Sequence, residues 1–309
     1  MYPNISISTN PSKWNRIPCY PISRQCLLHG SWSEQNGTCV VTSTTMEDLP
    51  QLNTNRLNTS LSVHGLSNST AEYGNTHLFM QRFFEEASKK GLIDLKNVDM
   101  ISSNGSIEAL IDCVDPNAVH TVTAKRVIIN GKEVISLSQE YDDSIQDEYR
   151  QFGTCFEEYM TTEKEFPIHV QKRAGQNYVI SELSLGNLRC LIRSEVDCAE
   201  STNGHLVEIK CTNYIKNKTH RKAYLASIEK VVYSGIKPKH VNGNANATIP
   251  KIDDVKRLIG NDLKFGRGLQ RTHMVCTQLI DLFSASNDLM EIKVVKKYRC
   301  DITYEEVMS

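Results

Sequence analysis

The sequence predicts an α/β protein of the α+β kind, with helices and strands mixed along one chain, and three observations carry that prediction. Residues 127 to 135 read as a hairpin turned by Asn130-Gly131, a pair that favours a two-residue turn because such a turn needs positive φ. Two short apolar runs, 178 to 183 and 188 to 192, flank Gly186-Asn187 in the same way. Elsewhere, apolar side chains return every three or four residues near 78 to 87 and again at 149 to 160, the spacing of a helix face. At 309 residues and 39% hydrophobic content, the chain can bury one large core.

Taken in order, residues 1 to 75 are turn-rich and polar, with Pro3, Pro11, Pro18, Pro21 and Pro50. They read as an extended, loop-rich segment packing on a single domain that covers 76 to 309. Trp14 and Trp32 read as packing residues. A helix starts near His77 with Leu78, Phe79, Phe83 and Ala87 along one stripe, and Gly91 ends it. A second helix follows Asp142-Asp143-Ser144, with Tyr149, Phe152, Phe156, Tyr159 and Met160 as its apolar stripe. On its flank Gly153 offers close backbone approach, and Glu157 lies one turn later. Residues 211 to 235 read as helix with loop, and 237 to 250 as a loop rich in Gly, Asn and Pro. Helix returns at 253 to 270, where Gly260, Gly266 and Gly268 each weaken it by about 1 kcal/mol relative to Ala. Residues 274 to 283 read as a buried strand, and 290 to 295 as another.

The stretch from Arg193 to Asn213 concentrates charge between apolar neighbours. Glu195-Val196-Asp197 and Glu208-Ile209-Lys210 lie on either side of Asn203-Gly204, another hairpin pair. A two-residue turn there sets Asp197 across from Lys210, with Glu195 and Glu208 two residues away along either strand. Strand side chains alternate, so all four project from one face. Three carboxylates beside one ammonium repel each other unless a cation joins them, and such a donor set suits Mg²⁺ or Mn²⁺. Lys210 suits holding an attacking water while the metal withdraws charge from a phosphoryl oxygen. A lone Glu-x-Asp or Glu-x-Lys is an ordinary solvated strand face; the combination points to a metal. Asp281 followed by Glu291-Ile292-Lys293 copies part of the pattern, but Leu279 stands where the first glutamate belongs and no tight turn joins the halves.

An acid followed by Glu-x-Lys on the next strand resembles the core of the PD-(D/E)xK metal-dependent nucleases. Glu195-Val196-Asp197-Cys198 before Val207-Glu208-Ile209-Lys210-Cys211-Thr212 resembles, more narrowly, the DXO family of RNA decapping enzymes and 5′-3′ exoribonucleases. Upstream, Phe152-Gly153 through Phe156-Glu157 to Met160 resembles that family's Gly, aromatic, Glu motif; downstream, Gln270 with Phe283 resembles its closing glutamine motif. The resemblance implies a mixed β-sheet core with a second antiparallel sheet and surrounding helices. It implies that Asp197 and Glu208 hold a divalent metal with the main-chain carbonyl of Ile209, and that Glu157 and Glu195 complete a second metal site, for two Mg²⁺ or Mn²⁺ ions in all. Lys210 and Gln270 would place the nucleophilic water and contact the substrate.

The implied substrate is RNA with an uncapped, incompletely capped or NAD-capped 5′ end, hydrolysed there and then trimmed 5′ to 3′. One departure stands out. Ser103 and Asn104 occupy the places of the family's tryptophan and arginine, and the neutral amide of Asn104 lacks the charged bidentate fork that arginine offers a phosphate at this substrate-binding position. Two other classes therefore stay open: a catalytically weak homologue that binds RNA ends or a protein partner, and a nuclease acting on DNA or without 5′-end preference.

A net charge of -1 excludes a protein that coats polyanions over its whole surface. Any nucleic-acid contact is local, and the best local stretch is Lys216, Lys218, His220, Arg221, Lys222, Lys230, Lys237, Lys239 and His240, interleaved with Tyr214, Tyr224 and Tyr233. Ten cysteines show no Cys-x-x-Cys pair, and neither an apolar leader nor an 18-residue apolar run is present. Reduced thiols and a nuclear or cytosolic location are expected, with no membrane contact.

Overall fold

The structure is a computed structural model that describes residues 22–33, 38–61, 65–66, 68–71, 80–139, 147–171, 175–212, 215–235, 249–260, 262–299 and 301–307. Their elements run β1 (Ile22–Ser33), β2 (Thr38–Ser43), β3 (Thr70–Ala71), α1 (Met80–Lys89), β4 (Met100–Ser103), α2 (Asn104–Asp112), β5 (His120–Ile129), β6 (Lys132–Gln139), α3 (Asp147–Thr161), β7 (His169–Val170), β8 (Gly175–Leu185), β9 (Leu188–Glu195), β10 (Cys198–Ala199), β11 (Leu206–Cys211), α4 (Asn217–Leu225), β12 (Lys230–Ser234), β13 (Lys251–Asp254), α5 (Val255–Ile259), α6 (Leu263–Ala285), β14 (Glu291–Lys296) and β15 (Ile302–Glu306).

A nine-stranded mixed sheet has the order β15-β14-β5-β6-β4-β9-β8-β1-β2, with β4 parallel to both of its neighbours. Its two predicted hairpins form and are longer than the apolar runs suggested. Ile129 pairs with Lys132 around Asn130 (φ 50°) and Gly131 (φ 79°), and Leu185 pairs with Leu188 around Gly186 (φ 64°). The second sheet has four strands, β10-β11-β12-β13, and is not wholly antiparallel: β11 and β12 run parallel, with α4 as their crossover. The sequence reading of 211 to 235 as helix with loop missed β12, whose Val231 and Val232 are buried.

Among the described residues, four helices cover these sheets as follows. α1 lays Phe83, Phe84 and Ala87 on one face of the large sheet, against Leu28, Ile101, Ile180 and Leu191. On the opposite face α2 and α6 pack together over Leu137, Leu183 and Ile192. α3 sets Cys155, Phe156, Tyr159 and Met160 on Cys198, Val207, Ile209 and Val232 of the small sheet. Trp14, Leu78, Phe79, Tyr214 and 142–144 lie outside the described residues.

Residues 274 to 283, expected as a buried strand, are the second half of α6. Leu269, Cys276, Leu279 and Phe283 fall at helical spacing and are buried together, so the apolar run is one face of a long helix rather than a strand buried on two sides. The helix expected over 253 to 270 is interrupted: Lys251–Asp254 is β13, and Gly260 caps the end of α5, whereas Gly266 and Gly268 lie inside α6 without breaking it. Asp262 caps the start by accepting from the N–H groups of Lys264 and Phe265. A Cβ at Gly268 would stand 2.4 Å from Ile111 Cγ2, so this glycine marks the close approach of α6 to α2.

Candidate active site

At Val196 the chain leaves one sheet for the other. Glu195 closes β9 opposite Tyr178, the Val196 N–H donates to the Asn177 carbonyl, and Cys198 opens β10 opposite Val207. This register differs by two residues from the one that Asn203-Gly204 suggested. The turn is wider: the Glu200 N–H donates to the His205 carbonyl at 2.8 Å, the Gly204 N–H to the Glu200 carbonyl, and the Asn203 side chain accepts from the His205 N–H at 3.1 Å. Gly204 takes positive φ (65°), whereas Asn203 does not. Asp197 therefore lies beyond the Cys198–Val207 pair on the side of Glu208, not across from Lys210. A shift of two preserves strand alternation, which a shift of one would have reversed.

Asp197 Oδ2 accepts from the Ile209 N–H at 2.6 Å and lies 3.9 Å from Lys210 Nζ, which also pairs with Glu208 Oε1. Burial works against the Lys210 charge, but Glu208, Asp197 and Glu157 outweigh it and hold the ammonium well above the ordinary lysine range. The Glu208 carboxyl is pushed up by burial first and by Asp197 as well, against the pull of Lys210. Burial followed by Asp197, Glu157, Glu208 and Glu200 raises the Cys198 thiol, so it stays protonated and offers no nucleophile.

Glu157 arrives on α3. Phe156 and Met160 bury the stripe beside it, and its charge reaches both Lys210 and Cys198. Gly153 does not provide the expected close approach, since a Cβ there would meet nothing within 4 Å. Glu195 is exposed, and its charge acts on Arg193 and Tyr178 rather than foremost on Lys210. Asn104 is the first residue of α2, behind the N-cap Ser103, whose side chain accepts from the Ser106 N–H. Because Ser103 pairs with Arg193, α2 starts at the end of the large sheet where the chain turns toward Asp197.

Gln270 lies on α6. Three residues later on α6, His273 abuts Gly186 in the β8–β9 turn, at the other end of β9 from Glu195. An eight-residue strand spans about 26 Å. No hydrogen bond links Gln270 to the charged side chains among the described residues.

The basic stretch is mostly spent inside the protein. His220 faces Asp253 at 3.3 Å, Arg221 donates to Asp262 at 2.8 Å and Asp112 at 3.3 Å, and Lys230 pairs with Glu200 at 2.5 Å. Tyr224 packs edge-on against Phe265. Residues 236–248 lie outside the described ones. The sequence reading did not single out Glu108, and it placed Lys222 in the basic stretch without connecting it to the acids. Glu108 is fully buried in α2 and pairs with Lys218 at 3.2 Å, and Lys222 feels the charges of Glu208 and Lys210. A glutamate inside the apolar run Ile107-Glu108-Ala109-Leu110-Ile111 was the available signal for the first; the helical spacing of Lys218 and Lys222 was the signal for the second.

Glu157, Asp197 and Glu208 offer hard oxygen donors, and with Lys210 they carry two net negative charges, the charge of one divalent cation. These residues fit such an ion in donor type and charge. Among the described residues no group of three or more acidic, histidine or cysteine side chains is gathered as a metal site, and the Lys210 ammonium pairs with both Asp197 and Glu208.

No family model and no curated protein matches the chain. Solved structures do. Scheffersomyces stipitis Rai1 in complex with (3′-NADP)⁺ and calcium ion superposes with a TM-score of 0.68 at 14% identity, covering 100% of this chain and 93% of that one. Candida albicans Rai1 in complex with pU5-Mn²⁺ gives 0.67 at 13%, covering 99% and 94%. K. lactis Dxo1 in complex with manganese gives 0.60 at 12%, covering 99% and 96%. Among the described residues no helix is long and apolar enough to cross a membrane. The chain has the mixed α/β fold of the Rai1 and Dxo1 structures, which it matches over 99–100% of its length.

Proposed function

We propose that this chain is a metal-dependent hydrolase of RNA 5′ ends and a divergent member of the DXO family. The observation that carries this reading is the meeting of Asp197, Glu208, Lys210 and Glu157 within a fold shared end to end with Rai1 and Dxo1. The neighbours' bound molecules, pU5 with Mn²⁺ and 3′-NADP, support a substrate that presents a 5′ phosphate or a NAD-type cap.

Asp197 and Glu208 hold the metal in this reading, with the Ile209 carbonyl between them in sequence. Glu157 comes from α3, and Glu195 from the edge of the seam completes the donor set for a second ion. Bound there, Mg²⁺ or Mn²⁺ would withdraw charge through a phosphoryl oxygen as water attacks the phosphorus. Lys210, no longer needed to neutralise Glu208, donates from its ammonium to the attacking water or to a phosphoryl oxygen. The Ile209 N–H keeps Asp197 oriented by its hydrogen bond to Oδ2.

The experiment is incubation of purified protein with Mn²⁺ or Mg²⁺ and RNAs that differ only at the 5′ end: hydroxyl, monophosphate, triphosphate, unmethylated cap and NAD cap. Release of the 5′ group followed by shortening from that end is the expected result, and chelation abolishes it. RNA bound without turnover under every metal condition would replace the hydrolase with a binding homologue.

A further inference from the structure

Charge accounting along α4 leaves Lys222 without an ion pair among the described residues. Arg221 is engaged by Asp262 and Asp112, His220 faces Asp253, and Lys218 pairs with Glu108. Lys222 follows Lys218 by one helical turn and so shares its side of α4. Its half-buried ammonium ends in no ion pair or hydrogen bond among the described residues. Burial, then Lys218, act against its charge, Lys210 adds to them, and Glu108 and Glu208 support it; the balance holds it below the ordinary lysine range. An ammonium taken from water and set near two others contributes little to stability and attracts an incoming anion.

Glu108 explains why this side chain pair is held where it is. It lies in α2, one turn after Asn104, fully buried, with neither carboxylate oxygen in a hydrogen bond among the described residues and with Lys218 as its nearest ion-pair partner. The Lys218 side chain remains 40% exposed, so one side is fixed by Glu108 and the other stays open. The same α2 turn that has Asn104 in place of a cation therefore anchors a cation from the neighbouring helix.

We propose that Lys218 and Lys222 form the phosphate seat of this chain, supplying from α4 the positive charge that α2 lacks at Asn104, with Glu108 positioning Lys218. The ligand is a phosphate of 5′-phosphorylated RNA, and its identification as RNA rests on the hydrolase reading.

The test compares binding of 5′-phosphorylated and 5′-hydroxyl U5 RNA in Ca²⁺, with inorganic pyrophosphate in metal-free buffer as a probe that needs neither RNA nor turnover. Lys222→Ala should weaken the phosphorylated oligonucleotide and pyrophosphate by about tenfold or more while changing the hydroxyl form by less than about twofold. Lys222→Arg should restore the preference, and adding Asn104→Arg to Lys222→Ala should recover part of it. Glu108→Gln should lower the same preference at unchanged melting temperature, because it releases Lys218. An unchanged ratio of phosphorylated to hydroxyl affinity in Lys222→Ala and Lys218→Ala overturns the seat. Lys222-dependent pyrophosphate binding without any RNA binding would keep the seat and remove the RNA reading; pyrophosphate binding indifferent to both lysines removes the seat by itself.

Discussion

Two strands of this protein carry the same tripeptide, Glu208-Ile209-Lys210 on β11 and Glu291-Ile292-Lys293 on β14, and their surroundings give them opposite electrostatic roles. Both isoleucines are buried, and both strands lie between two others in a sheet. On β14 the neighbouring strand supplies the missing sign: Glu291 stands opposite Lys125 and pairs with it at 2.7 Å, while Lys293 lies across from Glu305 of β15. On β11 the neighbouring segment supplies more of the same sign, so Asp197 joins Glu208 and both share Lys210. A Glu-x-Lys pattern is therefore neutralised or made acidic by the chain beside it. The tripeptide alone has no function to read.

The largest break in this comparison comes from removing one carboxylate. Asp197→Ala or Glu208→Ala should bring RNA hydrolysis to background in a protein that still folds, whereas Glu291→Ala should leave it within about twofold. Single-turnover cleavage and thermal melts decide it, and full activity in Asp197→Ala would place the chemistry elsewhere.

The next effect concerns the cation outside the tripeptide. Removing one preorganised donor at a developing charge typically costs about 10² to 10³ in rate. If the cation already sits on α4, Asn104→Arg should raise the single-turnover rate by less than about tenfold in the parent and by more in Lys222→Ala, with no gain when Asp197→Ala is added. Low salt keeps weak RNA binding from being read as weak chemistry.

Stability sharpens the contrast between the two lysines. Lys210→Met should destabilise the metal-free protein by about 1 to 2 kcal/mol, a range lowered for the partial exposure of the lysine, because it leaves Asp197, Glu157 and Glu208 unopposed. Lys293→Met should stay within about 0.5 kcal/mol. Denaturant melts with chelator and then with Mg²⁺ should show the Lys210→Met deficit shrinking once a cation is present.

The smallest effect belongs to a pair outside both tripeptides and so serves as their reference. The hydrogen bond to His120, opposed by burial and aided by Arg221, holds the Asp112 carboxyl below its usual range. Its stabilisation is present above the unfolded carboxylate pKa of about 3.9 and is lost as pH falls through the lower folded value. Asp112→Asn should flatten that acid limb in melts taken across about pH 2 to 5, and an unchanged limb would assign the acid sensitivity to another group.

The sequence announced the charged stretch and the face alternation of its side chains, but not its pairing. Asn203-Gly204 favours a two-residue turn locally; the structure makes a wider one, in which the Asn203 side chain binds the His205 N–H, and a register shift of two is invisible to a rule with period two. The 274 to 283 run was misjudged because ten apolar-rich residues look alike as a strand or as half of a helix until their neighbours are included. Lys222 and Glu108 could not be recognised as neighbours from order alone, since β11, α4 and α2 meet through a parallel crossover. Gln270 was carried over from a family pattern, and its helix approaches the other end of the hairpin.

The crossing at Val196 has a mechanical consequence. Glu195 is ruled by the pairing of β9 with β8, Asp197 by the hydrogen bond it accepts from β11, and one residue separates them. The spacing of these acids is thus a gauge of the angle between two sheets, much as the gap between door and frame reports the set of the hinge. Opening either sheet would dissolve the gauge before any ligand was removed. The Ile209 amide, tied to Asp197 across that joint, is the place where hydrogen exchange would register the loosening first.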